Sequence, residues 1–352
     1  MAGAYPQGMG LRLSVLDQSP ISEGMTGSEA LQNTIDLAQL TDALGYHRYW
    51  VAEHHGGPML AGPSPEALIG PIASATERIR VGSGGVMLPH YSPLKVAETF
   101  SVLAGLYPGR IDLGLGRAAG TDPMTTHALQ RDRSRALPDD FPEQLAELLA
   151  YFEGTIPISS PLARLAKILP GRPETPEPWL LGSSPQSAVW AGELGLPYAF
   201  ADFINANGAE IAALYRRGFA DGVRLDAPRT VVAVWGLAAD TEEEAVKLAT
   251  SSRMAFAMLR RGRLIAVPPP EAAERFLASE AGNAVPMRRR TIVGTAAQVK
   301  TGIEEAAAEY GAQEVIVTTI TYDHGARRRS YELIAEAFDL AGSPAADARA
   351  TL

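Results

Sequence analysis

Eight short runs of β-branched and aliphatic residues recur along this chain, and most are followed by a helix start and an amphipathic segment. They fall at 11–17, 48–53, 78–88, 110–116, 178–183, 197–202, 230–239 and 314–321. Strand and helix alternating in this way predict an α/β fold with a parallel sheet. Eight such units across 352 residues, with no composition break to mark a linker, fit a (β/α)8 TIM-type barrel better than two doubly wound domains. The reading is therefore one barrel domain over 1–352, with the Ala-rich residues 343–352 as a frayed tail. Two connections are long, 117–177 and 255–297, and predict insertions after strands 4 and 7 that build lids or pocket walls.

Helix starts are written repeatedly as Ser-Pro, at Ser64-Pro65, Ser92-Pro93 and Ser184-Pro185. Each offers a capping hydroxyl and then a proline whose φ is preset for the first helical position. Val96, Phe100 and Leu103 form one apolar stripe, as do Leu37, Leu40 and Leu44, with Gly45 and Gly109 as stops. Pro71 falls inside the 65–77 helical segment and should kink or shorten it.

The formal charge of −9 gives no nucleic-acid footprint, and the basic runs 288–290 and 327–329 are short. Zero cysteines exclude disulfides, thiolate metal sites and a thiol nucleophile. No apolar run of membrane-spanning length and no export-type leader are visible, so a cytoplasmic protein without a membrane partner is expected.

In such a barrel, chemistry sits where the strands end. Strand 1 ends in Asp17-Gln18-Ser19, strand 2 in Glu53-His54-His55, and the final strand in Tyr322-Asp323-His324. Adjacent residues on an extended segment face opposite sides, so His54 and His55 do not share an ion readily. A single histidine inside the mouth suits proton transfer, which points to His54 and leaves His55 as an ordinary rim residue. A metal site built from His54, Asp17 and His324 stays open as an alternative. Gly84-Gly85 inside strand 3 reads either as a bulge or as main chain left bare for the close approach of a flat group. The glycines of "DLGLGRAAG" lack dinucleotide spacing. Arg117 beyond strand 4 can grip a phosphate or join a salt bridge. Ser183 and Ser184 precede a helix whose free N–H groups favour an anion, although capping alone explains one of them. Thr295 reads as a cap.

The stretches "GYHRYWVAEHH", "RIRVGSGGVMLPHYSPLKVAETFSVLAGLYPGRIDLGLGRAAG", "LLGSSPQSAVWAGELGLPYAFADF" and "VTTITYDH" together resemble the bacterial luciferase-like flavin monooxygenase family, from about residue 11 to 340. The resemblance implies a single barrel that holds reduced FMN at its mouth and oxygenates a small organic substrate with O2 through a flavin peroxide. It makes His54 an active-site group and Gly84-Gly85 a non-proline cis peptide against the flavin ring. Arg117 and Ser183 take the FMN phosphate, with Ser184 as a neighbour. Met87 and Phe203 are expected to form a dry wall around the substrate. A separate reductase is expected to supply the flavin, because no nicotinamide fingerprint is present, and a homodimer is compatible with the resemblance. Gly116 stands where luciferases proper carry a cysteine, and 117–177 is unlike theirs, so light emission and a long-chain aldehyde substrate are not expected. A deazaflavin branch shares the barrel, which makes F420 the alternative cofactor. A metal-dependent hydrolase and a non-catalytic flavin-binding barrel are the competing readings.

Overall fold

Eight parallel strands close into a ring in the computed structural model, which describes residues 10–117, 122–130, 133–134, 140–165, 174–205, 208–279 and 290–340. They are β1 (Arg12–Asp17), β2 (Arg48–Val51), β3 (Arg80–Met87), β4 (Ile111–Gly116), β5 (Glu177–Gly182), β6 (Tyr198–Ala201), β7 (Thr230–Ala238) and β9 (Glu314–Thr318). Neighbours pair in chain order from β1 to β7, and β9 closes the ring between β7 and β1. The eight runs expected from the sequence are these eight strands. The unexpected element is β8 (Ile292–Gly294), which pairs on β7 beyond the ring and is too short to show a period of two. The anticipated tail at 343–352 lies outside the described residues.

Helices wrap the ring: α1 (Gly27–Ala43), α2 (Pro65–Ala75), α3 (Pro93–Leu106), α6 (Pro185–Glu193), α7 (Ala209–Arg217), α10 (Ala296–Tyr310) and α11 (His324–Ala337). The long connection after β4 adds α4 (Pro123–Leu129) and α5 (Phe141–Glu153). The one after β7 adds α8 (Glu242–Leu259), α9 (Pro270–Ala278) and β8. Outward strand residues such as Leu13, Val15, Tyr49 and Val81 are buried against Leu37, Ile72 and Phe100. At about 25 cal/mol per Å², this continuous apolar layer is the main term holding helices to ring.

Of the three Ser-Pro starts, Ser184 alone caps through its side chain, accepting from Ser187 N at 3.4 Å. Ser64 Oγ instead donates to Glu66, and Ser92 makes no side-chain cap. Helix α2 runs through Pro71 and stops at Ala75. The residue before a proline is normally barred from helical geometry partly by its Cβ, and here that residue is Gly70. Gly45 has φ +86° just past the end of α1, and Thr295 forms a capping box with Gln298, both as the sequence suggested.

Register decides what the ring contains. Paired residues of parallel strands face the same side, and sides alternate along each strand. At the N-terminal ends the inward side is ionic: Arg48 meets Asp112 at 2.8 Å, Glu177 at 3.2 Å and Glu314 at 3.0 Å, while Arg80 and Arg229 add to the same carboxylates. Burial alone would raise the Glu177 carboxyl, but Arg48, Arg229 and Arg80 hold it below its usual range. One level up the interior is apolar, with Leu16 in register with Trp50, and Trp50 edge-on to Trp179 at 5.4 Å. The Arg48 guanidinium lies 4.5 Å from the Trp179 ring and joins the two levels.

Candidate active site

Above the tryptophans the inward positions shrink. Ala52, Gly84, Gly116, Ala199, Ala201 and Ala233 take the places that larger side chains fill below. The volume they leave is a cavity of about 400 Å³ at the C-terminal ends of the strands. That is within the range of small-molecule sites, and Leu16, Trp50 and Ile316 form its floor.

The structure brings the sequence-nominated residues to this cavity. His54 follows β2 at the inward position two beyond Ala52 and lines the cavity. Its Nδ1 is shut away from solvent with no hydrogen-bond partner among the described residues. Burial, reinforced by the neighbouring His55, lowers its pKa from 6.5 to about 4, so the ring is neutral at physiological pH. His55 turns the other way, with Nε2 2.8 Å from Glu53 Oε1, and stacks edge-on to His90 at 6.1 Å.

Glu53 is fully buried and also accepts the backbone N–H of Met87 at 2.9 Å. It thereby ties the end of β2 to the residue on which β3 turns out of the ring. Its position just before two histidines hid this role in the sequence.

Gly84-Gly85 is a cis peptide and also a bulge, since the β3–β4 register shifts between Ser83 and Val86. The bulge reading of the glycine pair therefore holds. Their missing side chains are demanded by protein: a Cβ on Gly84 would meet Leu16 at 2.7 Å, and one on Gly85 would meet Gly114 O at 2.7 Å. Met87 lines the cavity next, its Sδ 3.1 Å from where a Gly116 side chain would begin. Phe203 forms another wall and meets Trp235 edge-on at 6.1 Å.

Next to Gly116, Arg117 follows β4 and holds its guanidinium 5.6 Å from the Trp190 ring of α6. Ser183 and Ser184 lie beside it at the N-terminus of α6. Ser184 Oγ is engaged with Ser187, whereas the Ser183 hydroxyl makes no hydrogen bond among the described residues. A cation, a hydroxyl and a helix N-terminus converging at one end of a cavity form an anion-binding arrangement.

The metal alternative is not assembled. Asp17 is buried and accepts from Tyr49 at 2.5 Å, Arg327 at 2.6 Å and the Ser19 backbone at 2.7 Å. Burial would raise its pKa, but Arg327 keeps it low. His324 pairs with Asp36 at 2.8 Å instead of meeting His54. Among the described residues, no three His, Asp and Glu side chains are grouped to hold an ion, and no helix is long and apolar enough to cross a membrane.

The sequence placed Gln18 at the end of strand 1 without giving it a role. Gln18 lines the cavity and is 8% exposed. The signal was available as alternation, since Ser14, Leu16 and Gln18 share one face of β1 while Asp17 takes the other.

Comparison with known proteins follows the same lines. A family model described as luciferase-like monooxygenase matches residues 11–314. The Escherichia coli K12 protein named luciferase-like monooxygenase is 42% identical over 326 residues, 92% of this chain and 96% of its own length. The N-acetyl-S-alkylcysteine monooxygenase of Bacillus subtilis is 38% identical over 333 residues, 93% of this chain and 98% of its own. Among solved structures, apo-MsnO8 superposes with a TM-score of 0.86 at 38% identity, covering 95% of this chain and all of that one, 100%. Two others share the fold at lower identity. They are the oxygenating constituent of 3,6-diketocamphane monooxygenase from Pseudomonas putida in complex with FMN (20%, TM-score 0.69, covering 93% of this chain and 97% of that one) and an F420-dependent secondary alcohol dehydrogenase (15%, TM-score 0.65, covering 95% and 100%).

Proposed function

Because the chain belongs to the luciferase-like monooxygenase family, we propose that it is a monooxygenase that uses reduced FMN and O2 to oxygenate a small organic substrate. One oxygen atom enters the substrate, the other leaves as water, and the flavin supplies two electrons. The observation that carries this reading is the cavity itself, emptied by inward Gly and Ala, with an anion-binding end at Arg117 and α6 and a neutral histidine also in its lining.

These residues fit FMN. Arg117 and Ser183 would hold its phosphate, with Ser184 completing the helix N-terminus, and the Gly84-Gly85 main chain offers a flat wall for its ring. When bound, reduced FMN supplies the electrons that activate O2. Met87, Phe203 and the tryptophan floor exclude water from the reacting atoms. His54, neutral and with Nδ1 unpartnered, accepts or returns a proton there. A separate reductase supplies the reduced flavin, and the substrate is a small molecule. A thioether is the first class to try, given the relative named for N-acetyl-S-alkylcysteines.

The test is an anaerobic titration with reduced FMN and, in parallel, with reduced F420, followed by admission of O2. Tight FMN binding with oxygen consumption is expected, and preference for F420 would overturn the cofactor assignment. His54→Ala should bind FMN within about twofold of the parent and lose about 100-fold or more in oxygenation rate. Oxygenation at the parent rate would remove His54 from the chemistry.

A further inference from the structure

The flavin reading leaves Gln18 unused. Its carboxamide can donate twice and accept twice, lines the cavity, and makes no hydrogen bond to any described residue despite being more than nine-tenths buried. A carboxamide so placed is held ready for a partner that enters the cavity.

The neighbouring strands repeat the pattern. On β2, His54 Nδ1 is buried without a partner. On β9 and β7, outside the cavity lining, Thr318 and Trp235 stand in register, and Thr318 Oγ1 and Trp235 Nε1 are buried and unpartnered among the described residues. Of these, Gln18 and His54 line the cavity, at the ends of the adjacent strands β1 and β2. In a ring of eight, β1 and β9 lie across from β4 and β5, where Arg117 and the α6 N-terminus stand. Arg117 is the charged side chain among the described lining residues, so a carboxylate on the β1–β2 side would have no cation there. The surfaces around Gln18 are apolar: Leu16, Ala52, Ala233 and Ile316.

We propose that Gln18, together with His54, hydrogen-bonds the polar group of the organic substrate, and that the substrate presented there is uncharged: an apolar body carrying a carbonyl, ester or amide. The inference rests on the flavin reading, which assigns the Arg117 end to phosphate.

The experiment uses the full chain loaded with FMN and two probes that differ in charge, N-acetyl-S-methylcysteine methyl ester and its free acid, with binding read from perturbation of the flavin spectrum. The ester should bind at least tenfold more tightly than the acid. Gln18→Leu should weaken the ester at least tenfold while changing the Kd for FMN less than twofold, a split that a merely structural role would not give. Gln18→Met, unbranched and of similar length, makes the same comparison if the leucine variant melts early. Equal or tighter binding of the acid, an unchanged ester affinity in both variants, an effect on FMN in place of the ester, or no binding of either probe would each overturn the inference. Failure of the parent protein to bind FMN would instead remove the flavin reading, and this inference with it.

Discussion

His54 and His55 are neighbours with opposite fates, and the cause is the two-residue period of an extended chain. One faces the cavity, while the other is clamped to Glu53. The environment of His54 sets a pH prediction. Its folded pKa of about 4 lies below the unfolded 6.5, so unfolding takes up a proton between those values. Stability from this group is complete above pH 6.5 and is lost as pH falls toward 4. Denaturant titrations from pH 7 to 4 should show that loss, with a smaller slope in His54→Gln. The acid limb of the oxygenation rate should likewise fall near 4, not near 6.5. An acid limb at 6.5 would mean the ring is solvated. At this scale the sequence pointed to His54, because the two-residue period of an extended chain separates it from Glu53 and His55. Gln18 was obscured by its neighbour Asp17, whose charge attracted the metal alternative although its carboxylate belongs to Arg327 and Tyr49.

At the scale of elements, local signals placed the strands and most helix starts but overstated the caps. Ser64, Ser92 and Ser184 look alike in sequence, yet only Ser184 accepts from its helix. Ser184→Ala should therefore lower the unfolding free energy by about 1 kcal/mol, and Ser64→Ala and Ser92→Ala by less than about 0.5 kcal/mol, as read from urea midpoints. Equal losses at all three would contradict the observed hydrogen bonds. Strand β3 shows a further limit of local reading. Its glycine pair suggested a bare surface for a ligand, and the pair does line the cavity, but the contacts that forbid side chains there come from Leu16 and Gly114 on β1 and β4. Those strands are distant in sequence, so the packing reason could not be seen from the motif.

The whole molecule divides its ring interior into an ionic base, a tryptophan floor and an open top. Breaking the base should be costly: Arg48→Met leaves Glu314 buried without its cation and Asp112 with Arg80 alone, and removal of one partner of a buried pair destabilises by about 3–5 kcal/mol. Thermal unfolding would show this, and a change under 1 kcal/mol would mean that Arg80 and Arg229 compensate. Filling the top should do the reverse. Ala233→Leu places three more carbons into the cavity and should weaken FMN at least 100-fold, a change read by flavin titration, while the ionic base is left intact.

By itself the sequence determined the eightfold strand and helix alternation, because the apolar periods and helix starts that encode it are local. It also determined which polar residues stand at the strand ends. Only the tertiary structure decided which of them meet. Ring closure through β9 sets the register that turns Gln18 and His54 inward, commits Asp17 to Arg327, and stacks small residues from five separate strands into one cavity. The physical reason is that a hydrogen-bond partner or an unfilled volume belongs to segments as much as 310 residues apart, as in the Asp17–Arg327 pair, and no window of sequence contains both.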